Sequence, residues 1–241
     1  MLAPCAAALL AVAGLGGAPI AHGSPPAARD SRPTLTPALG ARSLIAPVRA
    51  LLGGIPQAGA VLGYPHAPVT MQVFSDLECP YCKELALGAQ SSLIRRYVRT
   101  GKLKIEFRSL ETATREPLTF RAQQAAALAA GRQNKAWYFV ELFYREQGPE
   151  GSGYVTPAYL RNIARQVPGL NLSAWNAARA SPVLTATLDR DEQDAIQRRL
   201  RGTPSVLIGR TGGHLSQLVS PSLESASPFE AAINRLLRSR R

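Results

Sequence analysis

Two stretches in the first half of the chain have the residue pattern of β-strands. Residues 67–76 (APVTMQVFSD) are rich in β-forming residues and are bounded by proline and aspartate. Residues 102–110 (KLKIEFRSL) alternate strictly, with Leu103, Ile105 and Phe107 separated by charged side chains. Because neighbouring side chains of a strand point to opposite faces, this alternation predicts a strand that is buried on one face.

The segment between these strands, residues 82–101 (CKELALGAQSSLIRRYVRTG), has the period of a helix. Threonine and glycine at its end are typical of a helix C-terminus. The side chains that recur at helical spacing are Leu85, Ala89, Leu93 and Tyr97. The first predicted strand is therefore followed by a helix.

A long run with helical pattern follows the second strand. Thr156 followed by Pro157 is a favourable helix start, because threonine caps free N–H groups and proline fits the first turn. Ser173 is predicted to cap a short helix, and Gly202 to end the last one. The predicted helices cover residues 119–147, 156–168, 174–180 and 181–202.

The remainder of the chain adds two strands and a helix, at residues 204–209, 214–220 and 227–241. Without the helical run, the order is strand, helix, strand, strand, strand, helix. This order predicts an α/β fold in which a central mixed sheet is flanked by helices. The helical run, at about residues 115–201, is then an inserted helical subdomain.

The first 23 residues (1–23) have the features of an export signal. An uncharged apolar run, strongest from Ala6 to Ala13, is followed by Ala21 and Gly23 at the positions that a signal peptidase reads. No charged residue precedes Arg29, whereas a signal normally opens with lysine or arginine. The chain is expected to be exported, with an uncleaved N-terminal membrane anchor as the alternative.

Residues 24–55 are rich in Pro, Ala, Arg and Ser, and this composition predicts a flexible linker. A short helix is expected within it, around residues 44–52, because Gly53 can stop a helix there. The folded domain is then predicted to cover residues 56–238.

The composition indicates a globular protein with a basic surface. Hydrophobic residues make up 46% of the 241 residues, and the formal net charge is +12. Such a charge would fit a nucleic-acid-binding protein. However, only four of the 28 basic residues are lysines, and no basic patch is interleaved with aromatic residues in a recognition pattern. No nucleic-acid partner is therefore predicted.

Cys79 and Cys82 are separated by Pro80 and Tyr81, and the third cysteine, Cys5, lies in the predicted signal. A structural zinc site needs about four ligands, and the chain has three histidines besides this pair. A disulfide that served only as a staple would close a loop too short to remove much chain entropy. Thiol–disulfide exchange is the interpretation that fits best, and no metal site is predicted.

The cysteine pair stands where the first predicted strand gives way to a helix. Free N–H groups and the helix dipole favour negative charge there, so the pKa of Cys79 should fall below its ordinary value of about 8.5. Because only a thiolate attacks disulfides, Cys79 is the predicted nucleophile, and Cys82, one turn further on, is predicted to resolve a mixed disulfide. Glu78 opposes the thiolate, but it is expected to be exposed and therefore screened.

At these residues the chain resembles the DsbA-like branch of the thioredoxin superfamily, in particular the bacterial exported proteins of the DsbA family. The resemblance rests on residues 62–82 (LGYPHAPVTMQVFSDLECPYC), residues 202–209 (GTPSVLIG) and the helical block between them, and it covers roughly residues 53–238. It implies a thioredoxin fold with an inserted helical subdomain, and an exported thiol–disulfide oxidoreductase. No cofactor is expected.

The resemblance also implies roles for residues around the pair. Pro204 would be the cis-proline of the superfamily, packed against the cysteines, and Thr203 would present its backbone to an extended client chain as to an added strand. Pro80 and Tyr81 would tune the reduction potential.

Many relatives place a buried carboxylate six residues before the first cysteine to handle protons. Here that position is Val73. Glu106, on the neighbouring strand, is the candidate substitute for proton transfer. The alternatives are that Glu106 is a solvent-facing residue of an alternating strand, or that a water molecule carries the proton.

The expected reaction is the oxidation of client proteins with cysteine thiols by the Cys79–Cys82 disulfide. Cys82 would resolve the mixed disulfide, and an unidentified redox partner would reoxidise the cysteine pair. A disulfide reductase or isomerase, and a non-catalytic binding module with the same fold, are the alternatives. The basic segment 235–241 is a candidate for peripheral contact with an anionic membrane surface.

Overall fold

A single mixed β-sheet is the frame of the computed structural model, which describes residues 44–220 and 222–239. Its strands are β1 (Gln57–Ala58), β2 (Val61–Leu62), β3 (Val69–Ser75), β4 (Leu103–Ser109), β5 (Ser205–Arg210) and β6 (Ser216–Leu218). Their order is β1-β2-β4-β3-β5-β6. Strand β3 lies in the centre, parallel to β4 and antiparallel to β5, and the remaining pairs are antiparallel.

Helices flank this sheet, and five of those described lie between β4 and β5. The helices are α1 (Ile45–Leu52), α2 (Pro80–Leu85), α3 (Ser91–Leu93), α4 (Pro117–Gly131), α5 (Ala136–Glu146), α6 (Pro157–Gln166), α7 (Leu172–Ala178), α8 (Pro182–Gln197) and α9 (Ser227–Arg238). Helices α4–α8 form the insertion. The predicted α/β fold with an inserted helical subdomain is therefore confirmed.

The two faces of the sheet differ, as the alternation in β4 predicts. Ile105 and Phe107 are buried in the main core, which also contains Cys79 and Cys82. The charged residues between them face the other way, where Arg108 forms ion pairs with α8. The cysteines and the charged residues of β4 therefore belong to opposite sides of the sheet.

The helix that begins between the two cysteines is kinked at Gly88. Helices α2 and α3 are joined and extended by π-helical turns at Ala86–Gln90 and Ile94–Val98. The Ala89 N–H donates to the Leu223 carbonyl at 3.0 Å instead of continuing the helix ladder. A Cβ atom on Gly88 would lie 2.8 Å from the Cα of Glu224. The close passage of the loop before α9 therefore requires glycine at this position.

The insertion is anchored to the sheet by hydrogen bonds from α4 and α5. The Gln124 amide of α4 donates to the Ser75 carbonyl at the end of β3, at 3.0 Å. The Trp137 indole N–H of α5 donates to the Ala60 carbonyl at 2.9 Å. These contacts hold α4 and α5 against the end of the sheet from which the cysteine loop departs.

The linker predicted for residues 24–55 is wrong in its last part. Helix α1 packs into the main core through Val48, Leu51 and Leu52, which are buried. The folded domain therefore begins at α1 and not at residue 56. The predicted signal, with Cys5, and the first part of the predicted linker lie outside the described residues.

Several predicted boundaries inside the insertion also differ from the structure. The helix expected over residues 119–147 is two helices, because Asn134 adopts a left-handed φ of 57° between α4 and α5. Helix α7 is capped by the Asn171 side chain and not by Ser173. Helix α8 ends at Gln197 and not at Gly202, because Arg199 also has a φ of 57°.

The β1–β2 hairpin was not predicted. Each of its strands is two residues long, too short to show a period in the sequence. Across the described ranges, no helix has both the length and the apolar character needed to cross a bilayer.

Candidate active site

Cys79 occupies the position immediately before α2, as the sequence predicts. Its backbone is extended, with φ −69° and ψ 121°, and Pro80 is the first residue of the helix. The Cys79 carbonyl accepts the N–H groups of Cys82 at 3.1 Å and Lys83 at 3.2 Å. The Cys79 side chain therefore lies at the positive end of the helix, where a thiolate is stabilised.

The two thiols are both free and buried, but they differ in acidity. A hydrogen bond with Cys82 is the main cause that lowers the pKa of Cys79, to about 6. The Thr203 side chain and the backbone N–H groups of Cys82 and Tyr81 add to this effect, against the opposing effect of burial. Burial, followed by the neighbouring Cys79, raises the pKa of Cys82 well above its ordinary value. At neutral pH, Cys79 is mostly thiolate and Cys82 is a thiol.

Thr203 lies directly against the nucleophile, although 124 residues separate it from Cys79 in the sequence. The Cys79 sulfur lies 3.4 Å from the Thr203 carbonyl oxygen, which accepts a hydrogen bond from it when the thiol is protonated. The Thr203–Pro204 peptide bond is cis, as the family resemblance implies. The structure thus places Thr203 next to Cys79, as the resemblance implies, and the catalytic and substrate-binding roles of these residues remain predictions.

The residues between the cysteines face outward. Tyr81 is 61% exposed, and Pro80 is exposed as well. An aromatic ring beside the nucleophile that has little contact with the protein is available to contact a client chain. Their predicted effect on the reduction potential remains a prediction.

Asp76 is a site residue that the sequence analysis did not identify. It lies directly after β3, three residues before Cys79, and its side chain is fully buried. The carboxylate accepts six hydrogen bonds, from the backbone N–H groups of Glu78, Thr112, Ala113 and Thr114, the Thr114 hydroxyl and the Gln123 amide. Asp76 thereby ties the cysteine loop to the loop between β4 and α4.

A second unpredicted residue, Gln147, braces the cysteine loop from the end of α5. Its amide donates to the Leu77 carbonyl at 2.7 Å and to the Cys79 carbonyl at 3.1 Å. No sequence pattern marks either Asp76 or Gln147, because their partners are backbone groups brought close only by the tertiary fold. An acidic residue at the end of a strand, just before a cysteine pair, was the one available signal.

Glu78 is buried, which corrects the expectation that it is exposed. The residue is 3% exposed, and the Gly151 N–H approaches its carboxylate at 3.4 Å. Burial is the main cause that raises the pKa of Glu78, with the negative Asp76 adding to it.

Glu106 lies away from the cysteines, which corrects its expected role in proton transfer. Its carboxylate accepts from the Gln72 amide at 2.8 Å and lies 4.0 Å from Arg108. It is on the face of the sheet opposite to the core that contains the cysteines. Its contacts support the alternative of a partly solvent-facing residue in an alternating strand.

The site is therefore a pair of thiols, one acidic and one not, next to the partly exposed residues Thr203 and Pro204. This arrangement can exchange disulfides with a thiol or disulfide of another molecule. Within residues 44–220 and 222–239, no group of three or more His, Cys, Asp or Glu side chains is placed to hold a metal ion.

Comparison with known proteins agrees with this arrangement. The family model described as Thioredoxin matches residues 57–217, more than half of the chain. Disulfide bond formation protein D of Bacillus subtilis (strain 168) is 22% identical over 153 residues. That match covers 61% of this chain and 66% of the relative, just under two thirds of its length.

Solved structures share the fold. The oxidised BdbD of Bacillus subtilis has a TM-score of 0.64 at 18% identity, and the match covers 77% of this chain and 98% of that one. DsbA of Chlamydia trachomatis has a TM-score of 0.61 at 18% identity, with 75% and 93% covered. These likenesses show that the chain shares the fold of those structures.

Proposed function

The chain belongs to the thioredoxin family, and from this we propose that it is an exported thiol–disulfide oxidoreductase that oxidises the thiols of client proteins. The DsbA-like relatives, one of them named for disulfide bond formation, support this direction. The observation that carries the proposal is the contact of the acidic Cys79 sulfur with Thr203, next to the buried and less acidic Cys82.

The reaction begins with the oxidised pair. A client thiolate attacks the Cys79 sulfur, a mixed disulfide forms, and the Cys79–Cys82 bond breaks. Cys82 leaves as a thiolate and takes up a proton, because its pKa is well above neutral pH. A second client thiolate then attacks the client sulfur of the mixed disulfide and releases Cys79, whose low pKa makes it a good leaving group. Two electrons pass from the client to the pair.

The expectation that Cys82 resolves the mixed disulfide is wrong for the oxidising direction. In the oxidising direction a second client thiol resolves the mixed disulfide. An attack by Cys82 on Cys79 instead returns the client unchanged, or completes the reaction in the reducing direction. Cys82 is therefore the leaving group of the first step.

The client would bind as an extended chain beside Thr203, which is partly exposed. Each cycle leaves the pair reduced, so a second partner that accepts two electrons must reoxidise it. Export places the protein where such oxidation is sustained. Arg235 and Arg238, both exposed on α9, supply positive charge for peripheral contact with an anionic membrane surface.

A single-cysteine peptide tests whether Cys79 accepts a client thiol. In the C82S variant, Cys79 is first converted to a mixed disulfide with thionitrobenzoate. We expect the peptide thiolate to displace the coloured thiol stoichiometrically, leaving one peptide–protein disulfide that mass spectrometry maps to Cys79. With one equivalent of peptide the adduct should persist, because the bound peptide has no second thiol that could resolve it.

The matched control is the C79S variant treated in the same way. In this variant Cys82 is 1% exposed and should accept neither the reagent nor the peptide at a comparable rate, as mass spectrometry of the Cys82 peptide would show. If C82S with thionitrobenzoate bound to Cys79 fails to form a disulfide with the peptide, the enzymatic function is rejected. A non-catalytic binding module would then be the better interpretation.

A further inference from the structure

A cavity in the helical insertion lies apart from the cysteine site. It has a volume of about 430 Å³ and is lined by residues of α4, α7 and α8 and of the turn between α7 and α8. Sites for small molecules usually have volumes of about 300–1,000 Å³, so this cavity is large enough to hold one. None of its lining residues belongs to the cysteine loop or to the Thr203 segment. A ligand bound here would therefore not compete with a client at Cys79.

One wall of the cavity is apolar. Leu118, Ala122 and Ala125 recur at helical spacing along one side of α4, and Leu188 of α8 is also part of the lining. Leu118 is 84% exposed, and the two alanines are partly exposed. This wall therefore has apolar surface that the hydrocarbon part of a ligand could remove from water.

The end of α7 adds two polar side chains to the lining, Asn176 and Arg179. They are three residues apart, so they lie on the same side of the helix. The Arg179 guanidinium lies over the Trp175 ring, 4.9 Å from its centroid. Trp175 is itself buried, and its indole N–H donates to the Ala126 carbonyl of α4 at 2.8 Å. Arg179 is therefore held against a fixed ring at the edge of the cavity.

The charge of Arg179 is not compensated by its described neighbours. Its Nε atom is buried and has no hydrogen-bond partner within residues 44–220 and 222–239. Burial is the main cause that lowers the pKa of Arg179, and the positive Arg161 adds to this effect. The other arginine of the lining, Arg121, is already paired with Asp189. An anion that accepts hydrogen bonds from Arg179 would supply the missing partner.

We propose that this cavity binds a small carboxylate with an apolar chain, and that Arg179 holds the carboxylate. A planar guanidinium can donate two parallel hydrogen bonds to a carboxylate, and the Asn176 amide can donate a further one. The chain of the ligand lies against the apolar wall of α4 and α8. This inference goes beyond the proposed function and does not depend on it.

Octanoate is the probe, and calorimetric titration of the full chain measures its binding. Acetate has the carboxylate without the chain, and octanol has the chain without the charge. We expect one octanoate to bind per molecule, about tenfold or more tightly than either of these. In the R179Q variant the affinity for octanoate should fall by about tenfold or more, because the hydrogen bonds to a charged partner are lost.

The R165Q variant is the matched control for the loss of one positive charge. Arg165 is exposed on α6 and does not line the cavity, so this variant should bind octanoate as the wild-type protein does. The A125L variant keeps Arg179 but fills part of the cavity, and it should also weaken octanoate binding by about tenfold or more. Urea unfolding shows which variants are folded before they are titrated.

Equal affinity of R179Q and R165Q for octanoate would overturn the proposal, because octanoate would then bind somewhere else. Octanoate that binds the wild-type protein no more tightly than octanol or acetate would overturn it as well. If one of R179Q and A125L is not folded, the other decides, and an unchanged affinity in that variant rejects the site. None of these results bears on disulfide transfer by Cys79, which is measured separately.

Discussion

We expect substitution of Cys79 by serine to abolish the proposed oxidation of a reduced client, with a loss on the order of 10³-fold or more. The oxygen of serine cannot form the disulfide that receives the client's electrons, and Cys82 is too buried to replace it. The measurement is the rate at which the preoxidised protein converts a fluorescent peptide with two thiols to its cyclic disulfide. The C79S variant should not exceed the rate in buffer.

The C82S variant distinguishes loss of chemistry from loss of structure. It should also fail to complete the oxidation, because it has no internal disulfide to give. Its Cys79 should nevertheless react quickly with a small disulfide reagent at pH 7, whereas Cys82 in C79S should react slowly, since its pKa is raised by burial. Substantial client oxidation by C79S would contradict the assignment of Cys79.

Substitution of Asp76 by alanine should lower the free energy of unfolding by about 3–5 kcal/mol. Its carboxylate is fully buried, and its removal leaves the buried N–H groups of Ala113 and Thr114 and the Gln123 amide without their acceptor. Each such buried donor costs about 1–3 kcal/mol, and water entering the vacated space recovers part of this. Equilibrium unfolding in urea measures the change.

The E106A variant is the matched control for the loss of a carboxylate. Glu106 is half-buried, with one amide donor and a distant arginine, so its removal should change stability by less than about 1 kcal/mol. It should also leave client oxidation unchanged, because Glu106 lies on the other face of the sheet. If D76A and E106A lower the free energy of unfolding equally, the hydrogen bonds of Asp76 do not stabilise the fold as proposed.

The chemistry of the site was predictable because it is local. Two cysteines, a proline at the first helical position and a strand before it are neighbours in sequence, and the helix N-terminus follows from that order alone. The pairing of Cys79 with Thr203 over 124 residues was not local. It came from the family resemblance, since no periodicity relates the two segments.

The supporting residues could not be predicted, because their roles depend on backbone groups from distant segments. Asp76 meets residues 112–114 only after β4 has been placed beside β3. Glu78 was expected to be exposed, since nothing in the sequence shows that the loop around Gly151 would cover it. Strand alternation correctly predicted that Glu106 lies on the polar face of β4. It does not show on which face of the sheet the cysteines lie.

The predicted helix boundaries were wrong for a related reason. Asn134 and Arg199 adopt left-handed backbone conformations, although neither residue is a glycine. The helical pattern continues through both positions, so the sequence predicted longer helices. Helix α1 was assigned to a linker because the surrounding composition is that of a linker, whereas its buried face of Val48, Leu51 and Leu52 needs the rest of the core to be recognised.

The reduction potential of the Cys79–Cys82 pair, measured against glutathione, tests the oxidising function most directly. A thiolate stabilised at Cys79 favours the reduced pair, and therefore makes the disulfide a stronger oxidant. We predict a potential between about −200 and −120 mV, in the range of protein oxidants. A potential below about −200 mV, toward the value of about −270 mV for thioredoxin, would contradict the account and show a reductant.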